Sequence, residues 1–122
     1  MSEPIIVPIR TYSKLNEREH WRARHRRSKA ERRATFLMVP SYAVTCPTVV
    51  TLTRIAPRAL DGDNLQASFK NCRDAVADRM DIDDADPRVT WRYAQEKGVP
   101  KEYAVRIEIE KSNDSEGSNH GR

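Results

Sequence analysis

Asp61 and Asp63 stand one residue apart in the run Leu60-Asp61-Gly62-Asp63-Asn64-Leu65, and Lys70, Asp74 and the acidic turn Asp81-Ile82-Asp83-Asp84 follow soon after. Hard divalent cations take oxygen ligands, and Mg²⁺ is usually held by one or two carboxylates together with water and phosphate. Eight aspartates fall between Asp61 and Asp86, against Lys70, Arg73 and Arg79. Such a patch repels a nucleic-acid backbone unless a cation is bound in it. Carboxylates for a metal beside a basic surface for phosphates is what metal-dependent cutting of a nucleic acid requires.

The basic surface is in the first third of the chain. Residues 1–40 carry ten Lys and Arg against four Glu, and residues 41–122 carry twelve against fourteen acids. The net charge of +4 therefore hides a basic segment followed by a slightly acidic one. A basic segment suits an acidic partner, most simply a nucleic-acid backbone.

The same residues have plainer readings. Asp63 can cap a helix, with Gln66 three residues on closing a capping box, and Asp61 and Gly62 can be turn residues. Asp81, Asp83, Asp84 and Asp86 can form a solvated loop. Capping does not explain why a second acidic cluster follows the helix. An EF-hand lacks its spaced ligands, central Gly and closing Glu here. Lys70 lies seven residues past Asp63, two turns along and near the same side of a helix. His20, His25 and His120 are not spaced as metal ligands. No Ser-His-Asp, Walker or dinucleotide-binding signature occurs.

Length and composition bound the elements that must position these groups. A chain of 122 residues is expected to form one domain. With 38% apolar and 33% charged residues its core is thin, and a partner subunit would help complete it. No apolar run approaches the roughly 18 residues of a membrane span. Met1-Ser2-Glu3-Pro4 does not open a signal peptide. Cys46 and Cys72 match no zinc spacing and are expected to be buried reduced thiols, which points to the cytoplasm.

Ile5–Ile9 reads as a short strand limited by Pro8. Asn16–Met38 reads as a helix, free of Gly and Pro, with Pro40 beyond it. Its centre, Arg22 to Lys29, has almost no apolar face, so Trp21 and Phe36-Leu37-Met38 are its expected anchors. Thr48–Ile55 is β-branched and reads as a strand. A second helix is expected over Asn64–Met80, where Leu65, Phe69, Cys72, Val76 and Met80 make an apolar stripe at spacings of 4, 3, 4 and 4. Val89–Ala94 and Tyr103–Ile109 alternate around Lys97-Gly98-Val99-Pro100 and are expected to form a hairpin. The fold class is a small mixed α/β (α+β) domain: a sheet of about four strands with two main helices, over residues 1–112. Residues 113–122 read as a disordered polar tail.

Asp61-Gly62-Asp63-Asn64-Leu65, the helix with Phe69-Lys70 and Arg73-Asp74-Ala75-Val76, and then Ile82-Asp83-Asp84 resemble the RusA Holliday junction resolvases. These are small endonucleases, often encoded by prophages. The family pattern is Asp-x-Asp-Asn, a helix carrying a lysine and an Asp-Ala-Leu-like segment, and Asp-Asp before a strand. Leu15-Asn16 and His20-Trp21 also look like the family's N-terminal segment, so the likeness covers most of residues 10–110.

The resemblance implies a homodimer in a bacterial cytoplasm, phage or prophage encoded. It would nick four-way DNA junctions symmetrically in recombination and repair, with Mg²⁺ or Mn²⁺. It implies Asp61, Asp63 and Asp84 as metal ligands, Asp84 matching as the second Asp of its pair. It implies Lys70 as a catalytic lysine when the segments are aligned through Asp74; aligned from Asp63, Ala67 falls there. Arg22, Arg24, Arg26, Arg27 and Lys29 would hold backbone phosphates. The reading from another class is a non-catalytic nucleic-acid-binding phage protein. If the strands flanking the second helix are parallel, its acidic clusters sit at opposite ends. They could then share a metal only if the chain after Met80 folds back or a second subunit supplies its own Asp84.

Overall fold

Strand β2 (Thr48–Ala56) runs through the middle of a four-stranded mixed sheet in this computed structural model, which describes residues 3–11 and 21–112. The sheet order is β1 (Ile5–Val7), β4 (Ala104–Lys111), β2 and β3 (Val89–Lys97). β4 is antiparallel to both β1 and β2, whereas β3 is parallel to β2 along its whole length, from Thr48 opposite Val89 to Ala56 opposite Lys97. Among the described residues three helices accompany the sheet: α1 (Trp21–Met38), α2 (Gly62–Ser68) and α3 (Lys70–Met80). This is the expected small α+β class, with one helix more.

The extra helix comes from a break at Phe69. The Ser68 hydroxyl donates to the Leu65 carbonyl at 2.7 Å, and the Phe69 N–H turns to the Gln66 carbonyl at 3.2 Å. Both bonds take groups that a continuous helix would use or leave exposed. The apolar stripe survives the break. Leu65, Phe69, Cys72, Val76 and Met80 are all buried and share a core with Val50 and Leu52 of β2 and Val105, Ile107 and Ile109 of β4. Phe69 stacks on Tyr93 of β3 with centroids 5.6 Å apart.

The expected hairpin does not form. β3 and β4 lie on opposite sides of β2, so Gly98–Tyr103 crosses the end of β2 instead of making a tight turn. The crossing spans two strand spacings, about 10 Å. It is tied down by the Gly98 N–H donating to the Ala56 carbonyl at 2.8 Å. A side chain at Gly98 would meet the end of the flexible Glu102 side chain and crowd Ile55, so the crossing passes close to β2 here. Alternation identified both strands, but it carries no information about which neighbour each one takes.

α1 packs along α3 in the same direction: Asn71 donates to Glu31 at 3.2 Å, Thr35 contacts Cys72, and Arg79 donates to the Phe36 and Val39 carbonyls. Its anchors are Glu31, Thr35 and the following Val39, all buried, and not Leu37 and Met38, which are 64% and 47% exposed. Arg79 instead covers the Phe36 ring. The side chain of Trp21, residues 16–20 of the expected helix and the expected tail lie outside the described residues. The first strand stops at Val7, where the Ile9 N–H turns back to the Val7 carbonyl. Both cysteines are free: Cys72 is buried as expected, whereas Cys46 is only half-buried.

Candidate active site

Asp61 is the cap of α2. Its extended backbone lets a carboxylate oxygen accept from the Asn64 N–H at 3.1 Å. The capping role expected of Asp63 thus falls to Asp61, two residues earlier. Asp63 sits exposed in the first turn with no hydrogen bond or ion pair among the described residues. Leu60, just before the cap, is clamped by Gln95 of β3, which donates to the Leu60 carbonyl at 2.7 Å and accepts from its N–H at 2.9 Å. This clamp fixes the point at which the aspartates leave the sheet.

The chain after Met80 folds back. Asp81 takes a left-handed conformation, φ 57° and ψ 46°, and the Ile82 N–H bonds to the Ala77 carbonyl, closing α3 in a Schellman-type turn. The acidic residues that follow divide by role. The Asp83 carboxylate accepts from the Ala85 N–H at 2.9 Å, and Asp86 accepts from the Arg88 N–H and guanidinium. Both build turns. Asp84 instead reaches Arg73: its Oδ2 is 3.3 Å from Nε, an ionic contact without hydrogen-bond geometry at that nitrogen. Its carbonyl accepts from Arg73 Nη2 at 3.2 Å and from the Trp91 indole at 3.0 Å.

Arg73 is therefore a hub. It also donates to the Tyr93 hydroxyl and lies 4.9 Å over the Trp91 ring. Around it is an open cleft of about 300 Å³ lined by Gln66, Lys70, Arg73, Asp74, Asp84 and Tyr93. Lys70 Nζ is 3.3 Å from Asp74 Oδ2, and the lysine side chain is 74% exposed.

The structure thus brings Asp84 and Lys70 to one cleft. Asp61 and Asp63 stay at the start of α2, with Gln66 one turn on from Asp63 joining their face to the cleft. Among the described residues, no group of three His, Cys, Asp or Glu is close enough to hold one metal alone. The aspartate donors are hard oxygens, Asp63 and one oxygen of Asp61 are unused, and the approach over Gly62 is open. That set suits a cation which keeps several waters and takes the rest of its shell from phosphate, as Mg²⁺ does.

The basic helix presents a narrower face than its composition suggests. Arg22, Arg26, Lys29 and Arg33 are exposed and recur at spacings of 4, 3 and 4, which is one stripe. Arg33 falls outside the block from Arg22 to Lys29, although its spacing from Arg26 and Lys29 marks it. Arg27 points the other way and pairs with the buried Glu31 at 3.6 Å. The side chain of Arg24 lies outside the described residues. Because α1 and α3 run the same way, this stripe begins at the end of the domain that carries Asp61 and Asp63. Arg73, Tyr93, Trp91 and Gln95 support the site with no motif to announce their roles.

No protein-family model matches the chain, and no curated protein matches it. No helix among the described residues is long and apolar enough to cross a membrane.

Proposed function

We propose that the protein is a Mg²⁺- or Mn²⁺-dependent endodeoxyribonuclease of the RusA type that nicks four-way DNA junctions as a homodimer. One observation carries the reading. The loop after Met80 returns Asp84 to Lys70 and Arg73, on the side of the helices that continues to Asp63. An acidic loop with only a solvating role has no need of two donors, from Arg73 and Trp91, and an ionic contact to Arg73 to hold one of its aspartates.

In this reading Asp61, Asp63 and Asp84 would share the cation through water and phosphate oxygens, since no three acids among the described residues close on one ion directly. When bound it would lower the pKa of a coordinated water and neutralise charge on the phosphate. Asp61 offers the oxygen left after capping, and Asp63 offers both of its own. Arg73 and Trp91 orient Asp84. Lys70, paired with Asp74 but 74% exposed, could swing to the scissile phosphate and stabilise its growing charge. Arg22, Arg26, Lys29 and Arg33 hold backbone phosphates without reading sequence. A two-fold dimer suits a two-fold junction, one site for each of two equivalent strands.

The alternative is a non-catalytic nucleic-acid-binding phage protein. It draws on the capping role of Asp61 and on the spread of the carboxylates along two helices. Incubation of the pure protein with four-way and linear DNA, with Mg²⁺, Mn²⁺ or EDTA, separates the two. Paired nicks in junction arms that need the metal support the nuclease. Metal-independent binding with no nicks supports the alternative.

A further inference from the structure

Arg54, near the end of β2, is 8% exposed, yet no carboxylate pairs with it among the described residues. Its Nη1 donates to the Arg58 carbonyl at 2.6 Å, and its Nε is buried with no hydrogen-bond partner among the described residues. The cation that acts on it, Arg10, has the same sign. Burial first, and then the charge of Arg10, weaken its hold on its proton, with Tyr103 acting in the other direction. The Arg10 guanidinium lies 4.4 Å over the Tyr103 ring.

A guanidinium carries five N–H donors, and one backbone carbonyl uses few of them. Buried cations are ordinarily matched by an acid, because an unmatched one is strongly destabilising. Here a second cation is placed beside the first. The surroundings add to the positive charge: Arg58 and Lys97 are exposed on a neighbouring cleft of about 350 Å³ and make no ion pair among the described residues. The one acid on that cleft, Glu96, is already paired with Arg106.

The position is equally specific. In register Arg54 lies opposite Gln95 and Val105, at the carboxyl ends of the two parallel strands. Ligands of open α/β sheets sit outside those ends. Gln95 is also the residue that clamps Leu60, so the cluster adjoins the point where Asp61 leaves the sheet.

We propose that Arg54, with Arg10 and Arg58, forms an anion subsite that takes a phosphodiester of the nucleic-acid backbone next to Asp61. The choice of nucleic acid rests on the proposed function, whereas the anion site rests on Arg54 itself. Bound there, the phosphate supplies the negative charge that the fold withholds from Arg54.

The test compares the native protein with Arg54→Met, in EDTA so that no cutting enters. Melting is followed in sodium phosphate and in sodium chloride at equal ionic strength, and binding to a linear duplex is titrated against salt. The native protein is expected to melt higher in phosphate, as any ligand bound only by the folded state requires. Arg54→Met is expected to lose that rise while melting at least as high as the native protein in chloride, since the unmatched charge is gone. Its slope of log affinity against log salt should fall by about one unit. Arg58→Met, at an exposed position, serves if Arg54→Met does not fold, and should reduce both the phosphate rise and the slope. The proposal is overturned if the native protein shows no phosphate rise, or if the folded variants keep it in full. A lost rise with an unchanged duplex slope would make this a site for free phosphate and overturn its assignment to the backbone. None of these readings depends on whether Asp63 supports cutting, so the two proposals fail separately.

Discussion

Arg73 holds Asp84 by its main chain as well as by its charge: Nη2 donates to the Asp84 carbonyl at 3.2 Å while Nε lies 3.3 Å from Oδ2. The aspartate is positioned before any ligand arrives. Replacing Arg73 by Met keeps a stem of similar length and removes the donors to Asp84 and Tyr93. Unfolding in urea should show a loss of about 2–3 kcal/mol, the scale of hydrogen bonds made by a charged group. Cleavage should fall further than that loss explains. An Arg73→Lys variant that recovers stability but not cleavage would separate the two effects.

Asp63→Asn should leave folding unchanged, because Asp63 has no partner in the described structure. Cleavage of four-way junctions in Mg²⁺ should be abolished. Junction binding in EDTA should be kept or tightened, since one negative charge facing the phosphates is gone. Asp84→Asn should also stop cutting, whereas Asp83→Asn should be mild, because Asn can accept from the Ala85 N–H as Asp83 does. Full cleavage by the Asp63 variant would remove it from the metal set.

The cationic stripe and the pair beside it should respond differently. Changing Arg26, Lys29 and Arg33 together to Ala should weaken binding to junction and linear DNA alike. The salt slope should drop by about 0.9 for each phosphate that is left without its cation. Arg27→Ala should leave the slope unchanged and lower stability, because Glu31 is 5% exposed and would lose an ionic contact. Fluorescence anisotropy over a salt series and thermal melting check the two outcomes.

Asp86 gives a pH signature. Hydrogen bonds from the Arg88 side chain, then from its N–H, hold the Asp86 carboxyl down at about 2. An unfolded aspartate titrates near 3.9. With the folded value depressed, the pair's contribution is present above about pH 4 and is lost as pH falls through about 2. Stability of Asp86→Asn should therefore vary less than that of the native protein between those values, as measured by urea midpoints across the acid range.

The two thiols should differ in reactivity. Burial pushes the Cys72 thiol up to about 12, and the hydroxyl of Thr35 contacts its sulfur at 3.5 Å. Iodoacetamide at about pH 8 should label Cys46 well before Cys72 in the folded protein, as mass spectrometry of peptides would show. Equal labelling would mean that the core around Cys72 opens readily.

Local chemistry made much of this legible in the sequence. The stripe from Leu65 to Met80 named five core residues, and β-branched alternation found the long strands. The acidic turn was also visible, whereas the α2 cap fell two residues before the Asp63 expected for it. What remained hidden depends on distant partners. Nothing within Val89–Ile109 tells β3 to run parallel to β2 and β4 to take its other side. Asp83 and Asp84 look alike until Arg73, more than a helical turn away along another element, selects one of them. Arg27 and Arg26 look alike until Glu31 pairs with one. Arg54 looked like an ordinary strand residue, because its lack of an acid is a property of its surroundings.

The strand order also has a consequence for how the chain is made. β4 pairs with β1 and with β2, setting Ile5 beside Ile107 and Thr48 beside Lys111. Pairings this far apart in sequence form slowly and cannot begin until the later partner exists. On a ribosome, the β2 edge that β4 will take must wait, unpaired, until the last strand has cleared the exit tunnel. Its residues Val49, Thr51, Thr53 and Ile55 show a β-branched edge throughout that interval. A nascent chain stalled just before Ala104 should thus be the species most prone to self-association.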